Sequence, residues 1–340
     1  AAVVLIYTSD EVTTNFIIDD ITETGCTTDS FTTAGNGLVY GSTCTVSADA
    51  TPTVSVAAGA FSDATGNTNS VSNTYTWIQD DTDPTMTITS TAGTSDGATS
   101  AVEAFALTFT SNEATANFVV GDITATGGDG CTLASFEASG GSTAVYTATC
   151  SPDNDGETMN VLVPADAYTD TAGNGNTVSN TFDWTYDGTG PTMTITSATV
   201  DSGSDTNTGA VVLVYTSNEV TVNFELSDIT VTECTNAAFT TESTTIYGST
   251  CTEDTNGVTP TVLVAAGAFT DAVSNTNSVS NTYTWDYDTA DPTMVITSTA
   301  GTADGGTSNV AAFALSFTSN EATDNFAVAD ITATGGDDCA

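Results

Sequence analysis

The sequence of 340 residues contains no lysine, no arginine and no histidine, against 43 Asp and Glu, so its formal net charge at pH 7 is −43. An ordinary soluble domain is about 25% charged with both signs mixed. Here 13% of the residues are charged, all with one sign. Each missing side chain excludes some chemistry. Without Lys or Arg nothing neutralises a phosphate backbone, so nucleic-acid binding is not expected. Without His, Ser-His-Asp and Cys-His arrangements lack their base. A Schiff-base lysine, an arginine finger and a P-loop lysine are absent as well, and a zinc site would have no imidazole. Carboxylate-pair chemistry on a glycoside is the one common enzymatic route left open. There is no run of 18 apolar residues either, so no membrane span is expected. No signal-peptide pattern opens the chain. No Asn-x-Ser/Thr sequon occurs, although dense Thr and Ser leave room for O-linked glycans.

What is present argues for a folded chain. Low hydrophobicity combined with high charge marks disorder, and only the charge condition is met, since 39% of residues are hydrophobic. Thr is the commonest residue and Val is abundant; both favour strands. Internal repeats set the organisation. Trp77, Trp184 and Trp285 step in register with Pro-Thr-Met triplets at Pro84, Pro191 and Pro292, at a period near 100 residues. A longer period of 208 residues separates Trp77 from Trp285 and Cys26 from Cys234, and residues 3–16 closely match residues 211–224. Two domain types therefore alternate. Type A has five residues from Ile21 to Cys26; type B has eight from Ile123 to Cys131, after a Gly-rich insert. The expected domains are 1–83 (type A, first strand missing), 84–190 (type B), 191–291 (type A) and 292–340 (partial type B). The expectation is a window from a longer tandem array; a natural protein of three and a half domains is the alternative.

Within each unit, apolar residues alternate with Thr or Ser. Phe105, Leu107 and Phe109 share one strand face, as do Phe182, Trp184 and Tyr186, and Tyr283, Trp285 and Tyr287. Turn signals such as SGGS (139–142) and AGNGN (172–176) separate the strands. About seven strands per 100 residues, with no helical period, predict an all-β chain of tandem immunoglobulin-like β-sandwich domains. The aromatic faces are read as core. Asp20, Asp122, Asp228 and Asp330, each before Ile-Thr, are read as strand or turn positions.

The cysteines pair as Cys26 with Cys44, Cys131 with Cys150 and Cys234 with Cys251, leaving Cys339 without a partner. Each pair flanks a turn signal symmetrically. The spacing predicts cross-strand disulfides between directly opposed residues of one hairpin, rather than bonds between sheets. Such bonds place the chain in an oxidising, extracytoplasmic compartment. Metal binding by two lone thiols is the weaker alternative.

The runs PTMTITS (84–90), LTFTSNEAT (107–115), GAFTD (267–271) and NTFDW (180–184) resemble the bacterial-type immunoglobulin-like repeats of very large secreted adhesins. They are still more similar to the Thr-rich versions in surface proteins of marine algae. The resemblance spans the chain and implies a spacer or structural module.

Three acidic elements should converge at each domain junction: the linker, the loop after the second strand and the loop before the last. At the first junction these supply Asp81 and Asp83, Glu113 and Asp170; at the second, Asp187, Glu219 and Asp271; at the third, Asp288, Asp291 and Glu321. Ca²⁺ takes six to eight oxygen ligands, so these acids are candidates for a cation that clamps neighbouring domains. Solvated loop acids are the competing reading. The acid pairs recur in every unit without a suggested sugar cleft, so no enzyme is expected. The functional expectation is a segment of a long secreted protein that self-associates into an extracellular filament, sheath or flagellar-hair-like appendage, with divalent cations offsetting its charge. A calcium-stiffened adhesin stalk at the cell surface is the alternative. Ten residues per strand give each sandwich roughly 35–40 Å and an A–B pair roughly 70–85 Å.

Overall fold

The computed structural model describes residues 2–90, 95–127, 130–152, 154–253, 255–298, 303–309 and 311–334. Cys339 lies outside the described residues. The chain divides into two compact units, Ala1–Thr189 and Gly190–Ala340. Among the described residues the regular structure is strands and single 3₁₀ turns.

In the first unit the sandwich nearer the C-terminus is the more complete. One sheet orders Cys131–Ala138, Val145–Pro152, Phe105–Ser111 and Met86–Ser90, all antiparallel. The facing sheet orders Thr124–Thr126, Thr158–Leu162, Phe182–Tyr186 and Ala98–Ser100, the last pair being parallel. The alternation read from the sequence decides what lies between them. Phe105, Leu107, Phe109 and Trp184 are fully buried, with Met86 and Ile88 closing one edge. Each such side chain contributes roughly 1.5–3 kcal/mol by leaving water. Tyr186 is only half-buried, at the rim of the face it was expected to share.

The preceding sandwich has two three-stranded sheets: Ala2–Thr8, Val39–Thr45 and Thr27–Thr33, facing Ile21–Thr24, Thr53–Val56 and Tyr75–Thr76. In the second unit the sheet of Met193–Thr196, Ala210–Ser217, Ile246–Glu253 and Cys234–Thr241 faces Ile229–Thr232, Thr261–Val264 and Tyr283–Thr284. Trp285 is fully buried between them. Beyond it, Met294–Ser298 pairs with Leu315–Ser319.

Two side-chain devices recur. Asp20, Asp122, Asp228 and Asp330 each end a 3₁₀ turn and accept the backbone N–H three residues earlier, at 2.8–2.9 Å. They are turn residues, as expected. Asn180 bonds both backbone groups of Ile88, accepting at 2.7 Å and donating at 3.0 Å, and Asn281 does the same for Ile195. A side-chain amide thus replaces a missing ladder partner for the edge strand.

The three disulfides join the expected cysteines, with Cα–Cα distances of 5.7, 5.5 and 5.7 Å. Their register departs from the expectation. Cys150 lies opposite Leu133 and Cys131 opposite Pro152; Cys251 lies opposite Asn236. The bonds are therefore diagonal. The hairpins turn later than the cysteine spacing implies, next to the pairs Thr33–Tyr40, Ala138–Tyr146 and Thr241–Tyr247. A β-bulge at Ser30, Ser135 and Ala238, with left-handed φ values of 54°, 51° and 54°, takes back one residue of that offset and leaves the two cysteines of each bond two residues apart. One extra residue displaces the ladder beyond it.

Candidate junction site

The linker 80–85 sits in the first unit and is hydrogen-bonded from both sides. At its start Asp49 accepts from the N–H of Asp81 at 2.6 Å and from the hydroxyl of Thr82. At its end Thr85 donates its N–H to Asn112 Oδ1 at 2.6 Å, and the N–H of Asn112 returns to the Thr85 carbonyl at 3.1 Å. The N–H of Thr177 donates to the Pro84 carbonyl at 3.0 Å, and Asn174 Nδ2 donates to the Asp80 carbonyl at 3.1 Å. Thr115 and Asp170 form a bridge that joins the two loops contacting the linker. The expected convergence of three elements is present here. The same bonds recur at other linker ends: Gly188 and Thr189 on Asp155 in the first unit, Thr192 on Asn218 and Thr293 on Asn320 in the second. A Cβ at Gly190 would collide with the Thr276 carbonyl, so the linker there runs against its loop with room for glycine alone.

Asp80, Glu113 and Asp170 each offer a carboxylate oxygen, all within 4.8 Å of one another. Oxygens that share one Ca²⁺ at about 2.4 Å are at most about 4.8 Å apart, so the spread suits one cation. Asp170 is buried, and burial alone would raise its carboxyl. The Asn174 side chain and the N–H groups of Asn174, Gly173 and Ala172 outweigh that and hold it below the usual carboxylate range. Asp170 thereby organises the AGNGN turn. Glu113 shifts the opposite way, raised first by burial and then by the charges of Asp80 and Asp170. With no basic side chain in the sequence to pair with, that repulsion is relieved by proton uptake or by a cation from solution.

The carboxylate supplied by the linker is Asp80 rather than Asp81 or Asp83. Asp81 accepts from Gln79 Nε2 at 2.7 Å, and Asp83 is exposed. Asp80 was legible in principle, since it precedes Asp187 by the 107-residue step that relates Trp77 to Trp184. In the second unit Glu219 and Asp271 bring carboxylate oxygens within 4.8 Å, and Asp271 accepts from the N–H groups of Val273 and Asn275. Asp187 belongs to the first unit, where its N–H donates to the Ser100 carbonyl. Asp288 and Glu321 line a cleft of about 560 Å³ together with Asp205 and Asp286; Asp291 does not line it.

A family model described as bacterial Ig-like domain matches residues 1–77 and 80–186. Among solved structures, the chain is similar to FdeC, an Escherichia coli adhesin, at 12% identity over 84% of this chain and 92% of that one, with a TM-score of 0.39. It is similar to invasin, a bacterial integrin-binding protein, at 12% identity over 77% of this chain and 56% of that one, with a TM-score of 0.32. For InvD of Yersinia pseudotuberculosis the identity is 14% over 64% of this chain and 63% of that one, with a TM-score of 0.29. No curated protein matches.

Proposed function

The chain belongs to the bacterial Ig-like domain family, and from that premise we propose that it is a structural repeat segment of a long secreted protein. That protein builds an extracellular filament, sheath or flagellar-hair-like appendage, and this segment has no catalytic role. The observation that carries the reading is the bonded linker: residues 80–85 are tied to Asp49 on one side and to Asn112, Asn174 and Thr177 on the other. A plain flexible tether has no need of such bonds. Three disulfides support a place outside the cytoplasm. Charge of one sign opposes close packing in dilute buffer, but at seawater-like salt the screening length falls below about 8 Å. Electron microscopy of assembled material tests the reading: ordered multi-chain fibres with an axial repeat of roughly 70–85 Å are expected, and isolated thin strands would defeat it.

A finer reading makes the junction a Ca²⁺ clamp, held at the first linker by Asp80, Glu113 and Asp170, in keeping with a calcium-stiffened adhesin stalk. Its support is the raised carboxyl of Glu113 beside two further acids. Adding millimolar Ca²⁺ should raise the melting temperature and chelator should reverse it. A chain whose melting and scattering ignore both retires the clamp and leaves the filament reading standing.

A further inference from the structure

The two domain types present different outward faces on equivalent sheets. In the third sandwich the centre of that face is Val212, Val214 and Gly248, with Gly248 paired between Val214 and Thr240. The first sandwich repeats it with Val4, Ile6 and Gly41; Val4 is 74% exposed and Val212 52%. In the second sandwich the same positions hold Ala106, Thr108 and Thr147. No Asp or Glu stands among the outward residues of the four strands in the third sandwich, and only Asp29 does so in the first.

We propose that this valine- and glycine-centred face of the type A sandwich is the lateral docking face for a second copy of this chain. The proposal rests on the filament reading and gives it a surface. Two observations choose the occupant. A basic partner would be drawn to the acidic loops and linkers, not to faces that carry a single carboxylate, Asp29, between them. For an all-acidic chain, by contrast, such a face is where another copy can approach with the fewest unpaired carboxylates to bury. The face also recurs at the 208-residue step, and a partner meeting both occurrences must carry the same period, as a second copy does. Area sets the valency. Four strands about 4.8 Å apart and about six residues long span roughly 19 by 20 Å. The four-stranded face of the third sandwich then buries roughly 800 Å² in total and the three-stranded face of the first roughly 600 Å², each alone the size of a crystal contact, whereas their sum of roughly 1,400 Å² reaches the size of a specific interface. Pairing should therefore require more than one type A sandwich per chain.

The test is sedimentation velocity on the full chain across a concentration series, at about 0.5 M NaCl to screen the net charge. The double variant Val4→Asp/Val212→Asp places a carboxylate on each face at exposed positions, and circular dichroism checks that the fold is kept. Self-association should weaken by at least about tenfold. The control Thr108→Asp/Thr147→Asp adds the same charge to the type B face and should leave association unchanged. Association that persists in the first variant overturns the face and spares the filament reading. Equal weakening in both variants assigns the effect to charge alone and also overturns the face. A wild-type chain that stays monomeric throughout overturns the filament reading together with it.

Discussion

Residues 3–16 and 211–224 are near copies, yet the sandwiches they open are packed to different depths. Tyr75 is 51% exposed and its counterpart Tyr283 is 3%; Trp77 is half-buried whereas Trp285 is fully enclosed. The third sandwich has one continuous core from Met193 to Trp285. The first has two small clusters, one around Leu5 and Val54 and one around Phe16 and Tyr40. Between its sheets is a cleft of about 860 Å³ lined by Leu5, Tyr7, Phe16, Val71 and Tyr75. What differs is the strand Met193–Thr196 and the segment after it, which bring Met193, Ile195 and Val200 into the third core. Identical core residues reach different burial because an edge strand seals one sandwich and no described strand occupies that place in the other. The alternating pattern selects the inward face, and the neighbouring strand decides how far that face is dried.

Removing the tryptophans should expose this contrast most strongly. Trp285→Ala should cost about 3–5 kcal/mol, the usual range for an aromatic lost from a closed core. Trp77→Ala should cost markedly less, because that ring is only partly enclosed and packs with Leu5 and Val54, which line a cleft from which water can enter the space left. Scanning calorimetry of the full chain would follow the transition of each sandwich. Equal losses at both positions would mean that the cleft closes in solution and that the two sandwiches are equivalent.

The staple on the edge strand should come next. Asn281→Ala removes an acceptor and a donor from Ile195 and should cost roughly 1–3 kcal/mol, because two strand groups lose their partner. Asn73 stands at the corresponding place in the first sandwich, where no described strand meets it, and Asn73→Ala should be close to neutral. Hydrogen exchange at the Ile195 amide would read the effect directly. Unchanged protection in Asn281→Ala would show that the strand is held by Met193 and Ile195 alone.

These asparagines also mark the limit of what could be read from residues in order. The strand faces were legible because AFALTFT alternates at period two, and the disulfide pairs were legible because each pair flanks a turn. The diagonal register was not, because the turns lie later than the midpoints of the cysteine pairs, and because the bulge residues Ser30, Ser135 and Ala238 carry no glycine signature although all three take a left-handed φ. The role of Asn180 and Asn281 was hidden for a related reason. A polar side chain that substitutes for a backbone partner leaves no periodic trace. At the junction, Glu113 and Asp170 stand beside each other, as the loop topology suggests, whereas the linker acid beside them is Asp80, marked by the 107-residue step to Asp187, and not the expected Asp81 or Asp83.

The bulges offer a smaller test of the same pair of sandwiches. Ala238 occupies φ 54° with no side-chain acceptor to support it, whereas Ser30 stands at the matching place in the first sandwich. A left-handed conformation costs an L-residue roughly 1–2 kcal/mol, and glycine returns roughly 0.5–1 kcal/mol of that through its looser unfolded chain. Ala238→Gly should therefore stabilise the third sandwich by about 0.5–1 kcal/mol, visible as a rise in its calorimetric transition. A loss of stability would show that the bulge relaxes to a negative φ.

The smallest expected effect comes from Glu113, and its value lies in its sign. Its carboxyl is raised by burial and by Asp80 and Asp170, so the fold holds the proton more tightly than the unfolded chain does. Such a group penalises folding at neutral pH, and the penalty fades as pH falls through the raised value. Asp170 runs the other way: its depressed carboxyl stabilises the fold above the ordinary carboxylate range, and that contribution is lost as pH falls through the depressed value. Glu113→Gln should consequently stabilise the second sandwich at pH 7 by about 0.5 kcal/mol or less, the discount proper to a solvent-screened charge. The gain should shrink in mildly acidic buffer. Glu11 holds the matching position in the first sandwich, where no linker acid is described beside it, and Glu11→Gln should do nothing. Millimolar Ca²⁺ would reverse the sign at Glu113 if the cation sits there, because the glutamine would then forfeit a ligand. Melting curves of both variants at two pH values, with and without Ca²⁺, separate these outcomes. A gain in Glu113→Gln that is the same at both pH values would remove charge repulsion as its cause.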